Sequence, residues 1–128
     1  MEPIITPLPF TYKKTDTDVW VFNLEELPFD QMRIQDRQIV HFGPQSVGGN
    51  HKHSRIEWFV AIGELVFVWL DEQGQKHEQE MNPDGQLFLF EVPPYLPHAV
   101  VNRSLTDDAT LMEMADGKMT ERETVEVV

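Results

Sequence analysis

The chain has 128 residues, 41% of them hydrophobic, and it contains no cysteine. That length allows one domain with a substantial buried core, and the lack of cysteine excludes disulfide bonds and thiolate metal sites. Ten basic against 22 acidic residues give a formal charge of −12, and such a negative field repels nucleic acids and anionic membranes.

The N-terminal stretch MEPIITPLPF has neither the basic start nor the apolar segment of a secretory signal peptide. No apolar run approaches the roughly 20 residues that a membrane-spanning helix needs. We therefore expect a cytoplasmic protein with no nucleic-acid partner and no membrane partner.

Most of the chain predicts short β-strands. Residues 1–17 carry three prolines and predict an extended arm, and NLEEL (23–27) is the one stretch that suggests a helical turn. The predicted strands, separated by glycine and proline turn signals, are VWVF (19–22), RIQDRQIVHF (33–42), EWFVAI (57–62), ELVFVWL (64–70), QLFLFEV (86–92), HAVV (98–101) and ATLMEMA (109–115). This spacing is typical of an all-β sandwich or barrel.

Two runs, LVFVWL and LFLF, are apolar at every position, so both faces of each strand need cover. Two packed sheets would cover each other on their inner faces. A second subunit would cover an outer face, and we expect a homodimer of this kind.

The stretch GGNHKHSRIEW (48–58) places two histidines and a glutamate close together behind two glycines. In an extended segment, residues two apart point to the same side, so His51, His53 and Glu57 can converge. Two imidazoles and a carboxylate suit a divalent first-row metal ion. Histidine pairs at this spacing also occur on plain surface strands, and the stretch alone does not decide between the two readings.

A second stretch, PPYLPHAVVN (93–102), supplies a further histidine. Its prolines favour a rigid, extended approach, which restricts where His98 points. In a chain with only five histidines, the two stretches together favour one metal site.

These two stretches resemble the two motifs of the cupin superfamily. The first motif, G-x5-H-x-H-x3,4-E-x6-G, is matched by His51, His53, Glu57 and, one residue early, Gly63. In the second, G-x5-P-x-G-x2-H-x3-N, three positions fall in register at Pro93, His98 and Asn102, and Tyr95 replaces the internal glycine. The resemblance covers about residues 33–115.

The resemblance implies an all-β fold, the double-stranded β-helix or jelly-roll barrel of the small single-domain RmlC-like cupins. It makes His51, His53, Glu57 and His98 the ligands of a divalent transition metal such as Zn, Mn, Fe or Ni. Asn102 would either orient a ligand or substrate or cap a turn. The chain then divides into an N-terminal arm (1–17), the cupin barrel (18–116) and a C-terminal tail or added strand (117–128).

The block GGNHKHSRIEWFVAIGEL is also similar to the sugar-nucleotide isomerase and epimerase cupins. That similarity implies a metal-dependent enzyme that moves a proton next to the carbonyl of a sugar or nucleotide sugar. The candidate proton carriers are His98, Tyr95 and, if its side chain faces the barrel interior, Glu113. Arg33, Arg37, Arg55 and Arg103 are candidates either to bind an anionic substrate group or to balance nearby acidic residues. Two alternatives stay open, an Fe-dependent dioxygenase and a non-enzymatic cupin that binds a small molecule.

Overall fold

The computed structural model describes all 128 residues, and nearly all of its regular structure is β. Three short 3-10 helices, Leu24–Glu26, Gln31–Arg33 and Pro83–Gly85, are the only helical segments. The strands are β1 (Ile4–Leu8), β2 (Tyr12–Lys13), β3 (Trp20–Val21), β4 (Asp36–Phe42), β5 (Val47–Lys52), β6 (Glu57–Ile62), β7 (Leu65–Leu70), β8 (Lys76–Glu80), β9 (Leu87–Val92), β10 (His98–Asn102), β11 (Ala109–Ala115) and β12 (Glu123–Thr124). No helix is long and apolar enough to cross a membrane.

The strands form two five-stranded sheets and one small hairpin. The first sheet has the order β1-β9-β6-β11-β4, the second has the order β12-β5-β10-β7-β8, and β2 pairs with β3. Every pairing is antiparallel, and consecutive strands of the chain repeatedly change sheets. This is the predicted jelly-roll barrel.

The core between the sheets is built from alternate residues of the strands. In β6, Phe59 and Ala61 point into the barrel with Phe67 and Phe90, whereas Trp58 and Val60 point to the outer face. Alternation of this kind is what an extended strand imposes on its side chains. It also sends Glu57, the first residue of β6, into the barrel.

The chain itself covers part of the outer face of each sheet. Phe10, Trp20 and Phe29 pack on the outer face of the first sheet, where the rings of Phe29 and Trp58 stack at 4.3 Å. On the second sheet, Val127 is buried against three residues of β7 and β10. The apolar runs therefore find part of their cover in the two terminal segments. The homodimer stays a prediction.

Several strands differ from their predicted bounds. The run predicted from residue 33 begins only at Asp36, because residues 31–33 form a 3-10 helix capped by the Asp30 side chain. The strands β5 and β8 were not predicted, since one contains two glycines and the other, KHEQE, has no apolar residue. Residues 4–8 of the predicted arm form the edge strand β1, paired with β9. The predicted boundaries at residues 17 and 117 stay a prediction.

Candidate metal centre

Three separate segments bring the four predicted ligands together. His51 lies near the end of β5, and His98, the first residue of β10, is its register partner across the second sheet. His53 follows β5 in the connection to β6, and Glu57 begins β6 in the opposite sheet. The four residues therefore do not converge along one extended segment, as their even spacing suggested. They converge because the chain crosses from one sheet to the other between His53 and Glu57.

The four side chains form a compact and largely buried cluster. Their potential ligand atoms all lie within 4.8 Å of one another. The three imidazole rings form a nearly equilateral triangle with centroid distances of 5.1, 5.1 and 5.2 Å. His53, Glu57 and His98 are buried, and His51 is half-buried. Three imidazole nitrogens and one carboxylate oxygen at this spacing are a donor set that could hold a divalent transition metal ion.

Two atoms of this cluster approach each other without forming a hydrogen bond. His53 Nε2 and Glu57 Oε1 are 2.8 Å apart, yet neither atom has a hydrogen-bond partner, and both are buried. An unpartnered buried polar group is costly, and such groups are rare in folded proteins. Their arrangement fits atoms that point toward a common third partner, and the residues present therefore fit a metal ion.

The chain sets the orientation of the His98 ring. His98 Nδ1 lies 2.8 Å from the Leu96 carbonyl oxygen. Because a carbonyl oxygen can only accept, Nδ1 must carry the proton, and Nε2 is left with a free lone pair. That nitrogen lies 3.3 Å from Glu57 Oε1. A backbone partner on one ring nitrogen is the usual way in which a metal-binding histidine is oriented.

The charge states of the cluster also suit a cation. Burial, together with repulsion from His98 and His53, lowers the pKa of His51 to about 4, so this imidazole is neutral near pH 7. The Arg55 guanidinium, which donates twice to the other oxygen of Glu57, favours the ionised form of that carboxylate. A neutral imidazole and an ionised carboxylate are the forms that bind metal.

Arg55 holds the other oxygen of Glu57. Its Nε and one terminal nitrogen donate to Glu57 Oε2 at 3.0 and 2.7 Å. The guanidinium also contacts Asp36 at 2.9 Å and Glu113 at 3.1 Å, and its side chain is only 6% exposed. Oε2 is thus engaged, and Oε1 alone faces the histidines. Of the two roles that the sequence left open for Arg55, the structure shows the balancing of nearby acidic groups. The sequence did not indicate that Arg55 also fixes one oxygen of Glu57.

Two hollows border the cluster, and we name them by position. The inner cavity, about 90 Å³ between the sheets, is lined by His51, Glu57, His98 and Glu113 among others. The outer hollow, about 200 Å³, is lined by His53, Tyr95 and residues of the C-terminal segment. Of the predicted proton carriers, Glu113 therefore faces the barrel interior beside the cluster, and Tyr95 lies at the other hollow. The predicted catalytic roles stay predictions.

Glu113 has an unusual carboxyl group. Burial, a hydrogen bond with Glu57 and the negative charge of Glu57 together raise the pKa of Glu113 to about 8, although Arg55 partly opposes this. The group therefore carries a proton at neutral pH in the metal-free protein. A carboxyl that titrates near neutral pH can either give or take a proton.

Two residues that stand where the cupin motifs have glycine keep a left-handed backbone conformation. Counting back from His51, Gln45 occupies the first glycine position of the first motif, and Tyr95 occupies the internal glycine position of the second. Their φ angles are 60° and 66°. Glycine adopts this conformation without the steric cost that other residues have. Both positions thus have a backbone conformation that favours glycine, although neither residue is one. The Tyr95 N–H donates to the His53 carbonyl at 2.8 Å, which ties the two ligand-bearing segments together.

The remaining histidines lie outside the cluster. His41 is exposed and lies 3.8 Å from Asp108, and His77 contacts Asp71 at 2.7 Å.

Asn102 does not point at the cluster. Its side-chain nitrogen donates to the carbonyls of Phe42, Gly43 and Asp107 at 2.9–3.1 Å. Its side-chain oxygen accepts from the Ser104 N–H at 3.0 Å. Asn102 is fully buried, and of its two predicted roles the structure shows the turn-capping one.

We expect Asn102→Ala to lower the free energy of unfolding by about 2–3 kcal/mol, because three carbonyls and one N–H lose their buried partner. Denaturant titration of metal-free protein measures this. Asn23, an exposed residue whose side chain caps a 3-10 helix through the Glu25 N–H, is the matched control, and Asn23→Ala should cost about 1 kcal/mol or less. Equal losses in the two variants would contradict the capping role.

The fold of this chain is similar to that of several solved structures. No family model matches the chain, and no curated protein sequence matches it. Solved structures do. A dTDP sugar isomerase from Desulfovibrio desulfuricans G20 matches with a TM-score of 0.69 and 18% identity, over 98% of this chain and 84% of that one. QdtA from Thermoanaerobacterium thermosaccharolyticum, a sugar 3,4-ketoisomerase solved with TDP, matches with a TM-score of 0.69 and 12% identity, over 98% and 89%.

The capsular polysaccharide assembling protein CapF from Staphylococcus aureus also matches, with a TM-score of 0.64 and 19% identity. That match covers 71% of this chain but only 28% of CapF. Identities this low establish the fold and leave the activity open. The antiparallel two-sheet barrel and its likeness to these structures show that the chain has a jelly-roll fold.

Proposed function

We propose that this chain is a metal-dependent isomerase or epimerase that acts on a small polar metabolite of the sugar type. His51, His53, Glu57 and His98 would hold the divalent ion. The observation that carries the proposal is the buried contact of 2.8 Å between His53 Nε2 and Glu57 Oε1, in which neither atom has a hydrogen-bond partner. Without a bound ion, the free-energy cost of burying these two polar atoms without a hydrogen bond would not be offset.

A bound divalent ion would supply Lewis-acid polarisation of a substrate carbonyl. The chain supplies the remaining functions. Arg55 fixes Glu57 so that only Oε1 points into the cluster. Phe59 and Phe67 pack on the His98 ring at 6.0 and 5.7 Å and exclude water from that side. Glu113, in the same cavity, would carry the proton to or from the carbon next to the carbonyl.

His98 and Tyr95 fit this scheme less well as proton carriers. Both ring nitrogens of His98 are committed, one to the Leu96 carbonyl and the other to the cluster, so we assign His98 as a ligand only. Tyr95 is exposed and borders the outer hollow. Glu113 is thus the preferred carrier. The sugar-type substrate is supported by the names of the fold neighbours, which include sugar isomerases.

Elemental analysis of protein purified without added metal tests the site. We expect close to one transition-metal ion per chain in the wild type and a loss of most of it in His53→Ala and His98→Ala. His41→Ala is the matched control, because His41 is exposed and outside the cluster, and it should keep its metal. Full occupancy in both cluster variants would overturn the assignment.

Proton exchange tests the reaction. Metal-loaded protein incubated in D₂O with ketoses, aldoses and keto-sugar nucleotides should introduce deuterium at the carbon next to a carbonyl in at least one compound, as seen by NMR. Metal-stripped protein should not. Oxygen consumption by the iron-loaded protein, without any proton exchange, would instead support the dioxygenase alternative.

A further inference from the structure

The inner cavity has two chemically different ends. One end carries the ionisable groups His51, Glu57, His98 and Glu113. The other end is a wall of apolar side chains and backbone, made of Val40, Phe42, Gly48, Gly49, Phe59, Val100 and Leu111. A molecule that fills this space would place polar oxygens against the cluster and carbon against the wall.

The cavity contains no positive side chain. None of its lining residues is lysine or arginine, and two of them are glutamates. Arg55 lies behind Glu57 and is engaged there by Glu57, Asp36 and Glu113. Phosphate groups are bound in proteins by arginine, by lysine or by several N–H groups. A phosphate or diphosphate group in this cavity would meet carboxyl and apolar groups instead, in a protein whose formal charge is −12.

The outer hollow does not supply the missing cations to the cavity. Lys52 and Arg122 line it, but Lys52 lies 3.5 Å from Glu123, and Glu121 lines the same hollow. This hollow borders His53, which the inner cavity does not reach. A substrate bound in the cavity would not contact it without passing the cluster.

The cavity is small, about 90 Å³, and it is open to solvent. With roughly 10–15 Å³ for each water-sized group, it accommodates on the order of six to nine such groups. A nucleotide-linked sugar has several times that number of non-hydrogen atoms, so most of it would lie outside the cavity.

The contact between Gly48 and the Phe42 ring determines the shape of the apolar wall of the cavity. Gly48 faces the Phe42 ring, and a Cβ added at Gly48 would lie 2.9 Å from Phe42 Cζ. The absence of a side chain at Gly48 is therefore what allows the ring to occupy its observed position. Any larger residue at Gly48 must displace the ring, and the cavity that the ring lines changes with it.

From these observations we propose that the substrate of this site is a compact, unphosphorylated hydroxy-carbonyl compound and not a nucleotide-linked sugar, with Phe42 and Gly48 setting the size limit. The inference rests on the proposed function, since it concerns the same site, and it narrows the substrate class of that function. Triose-sized compounds, which carry two or three oxygens on a short carbon chain, have the required size and polarity.

Calorimetry on the metal-loaded protein tests the inference with four probes: dihydroxyacetone, dihydroxyacetone phosphate, a five-carbon ketose and TDP-glucose. Dihydroxyacetone should bind, and the other three should bind at least about tenfold more weakly. Equal or tighter binding of TDP-glucose or of the phosphate ester would overturn the inference, and so would the absence of any binding by dihydroxyacetone. Metal content is measured in every sample, so that a failure of the metal site is recognised separately.

Two variants test the size limit. Gly48→Ala should weaken dihydroxyacetone binding by about tenfold or more, while Gly43→Ala, the matched control with no atom within 4 Å of the added Cβ, should leave it unchanged. Phe42→Ala should enlarge the cavity and improve binding of the five-carbon ketose relative to dihydroxyacetone. An unchanged preference in both Gly48→Ala and Phe42→Ala, with metal retained, would contradict the assigned size limit.

Discussion

Replacing Arg55 with methionine should weaken metal binding by about 10- to 100-fold and lower the free energy of unfolding by about 3–5 kcal/mol. Methionine keeps much of the side-chain volume, so the change isolates the guanidinium group. Two of its donors hold Glu57 Oε2. Without them, the buried carboxylate can rotate, and the single oxygen that faces the histidines is no longer fixed.

The stability loss follows from the charges that Arg55 leaves behind. Asp36, Glu57 and Glu113 all contact the guanidinium, and the side chains of all three are at most 17% exposed. Lys118 pairs only with Asp36 and is largely exposed, so removing the guanidinium leaves buried negative charge on Glu57 without a cation, which costs far more than the loss of a surface ion pair. Bound metal would offset part of this cost in the variant.

The absorption spectrum of the cobalt-substituted protein distinguishes a role of Arg55 in orienting Glu57 from a general loss of stability. If Arg55 fixes Glu57 as a one-oxygen ligand, the cobalt spectrum of Arg55→Met should change in position and intensity, and Arg55→Lys should recover part of the affinity. Arg103→Met is the matched control, because Arg103 and Glu78 form an ion pair in which both side chains are about half exposed, worth about 1 kcal/mol or less. An Arg55→Met protein that is destabilised but has wild-type metal affinity and spectrum would show that Arg55 is only structural.

The four residues of the cluster could be singled out from the sequence because the chain has only five histidines and three of them fall in a regular pattern with Glu57. Their side chains come together for a reason that the sequence pattern did not suggest. Even spacing places His51, His53 and Glu57 on one side only if the segment stays extended, but the chain leaves β5 after Lys52 and enters the other sheet at Glu57. The structure thus brings the four predicted residues together by a local geometry that the pattern did not suggest, and their role as metal ligands stays a prediction.

The role of Arg55 was not predictable in the same way. Its partners Asp36, Glu57 and Glu113 begin or lie within β4, β6 and β11, and only the pairing of those strands brings the three carboxyl groups together. The orientation of Glu113 was left open by its sequence context for a related reason. The strand β11 has apolar residues on both faces, so alternation alone does not say which face is the interior.

In the metal-free protein, the free energy of unfolding should fall as the pH rises from about 4.5 to about 8, and Glu113→Gln should remove much of that fall. The raised pKa of Glu113, about 8 instead of 4.5, means that the folded protein holds a proton that the unfolded chain has already released in this range. Stability that depends on a proton bound more tightly in the folded state is lost as that proton leaves.

Glutamine is close in shape to the protonated carboxyl and keeps a donor toward Glu57 and an acceptor toward Arg55. The variant should therefore match the wild type near pH 5 and exceed it at pH 8 and above, by a difference on the order of 2 kcal/mol. Urea titrations in the presence of a chelator, at intervals from pH 5 to pH 9, give both curves. Glu64→Gln, at an exposed glutamate, is the matched control and should run parallel to the wild type. Parallel curves for Glu113→Gln as well would mean that the Glu113 carboxyl is already ionised at neutral pH, and its assignment as the proton carrier of the cavity would lose its physical basis.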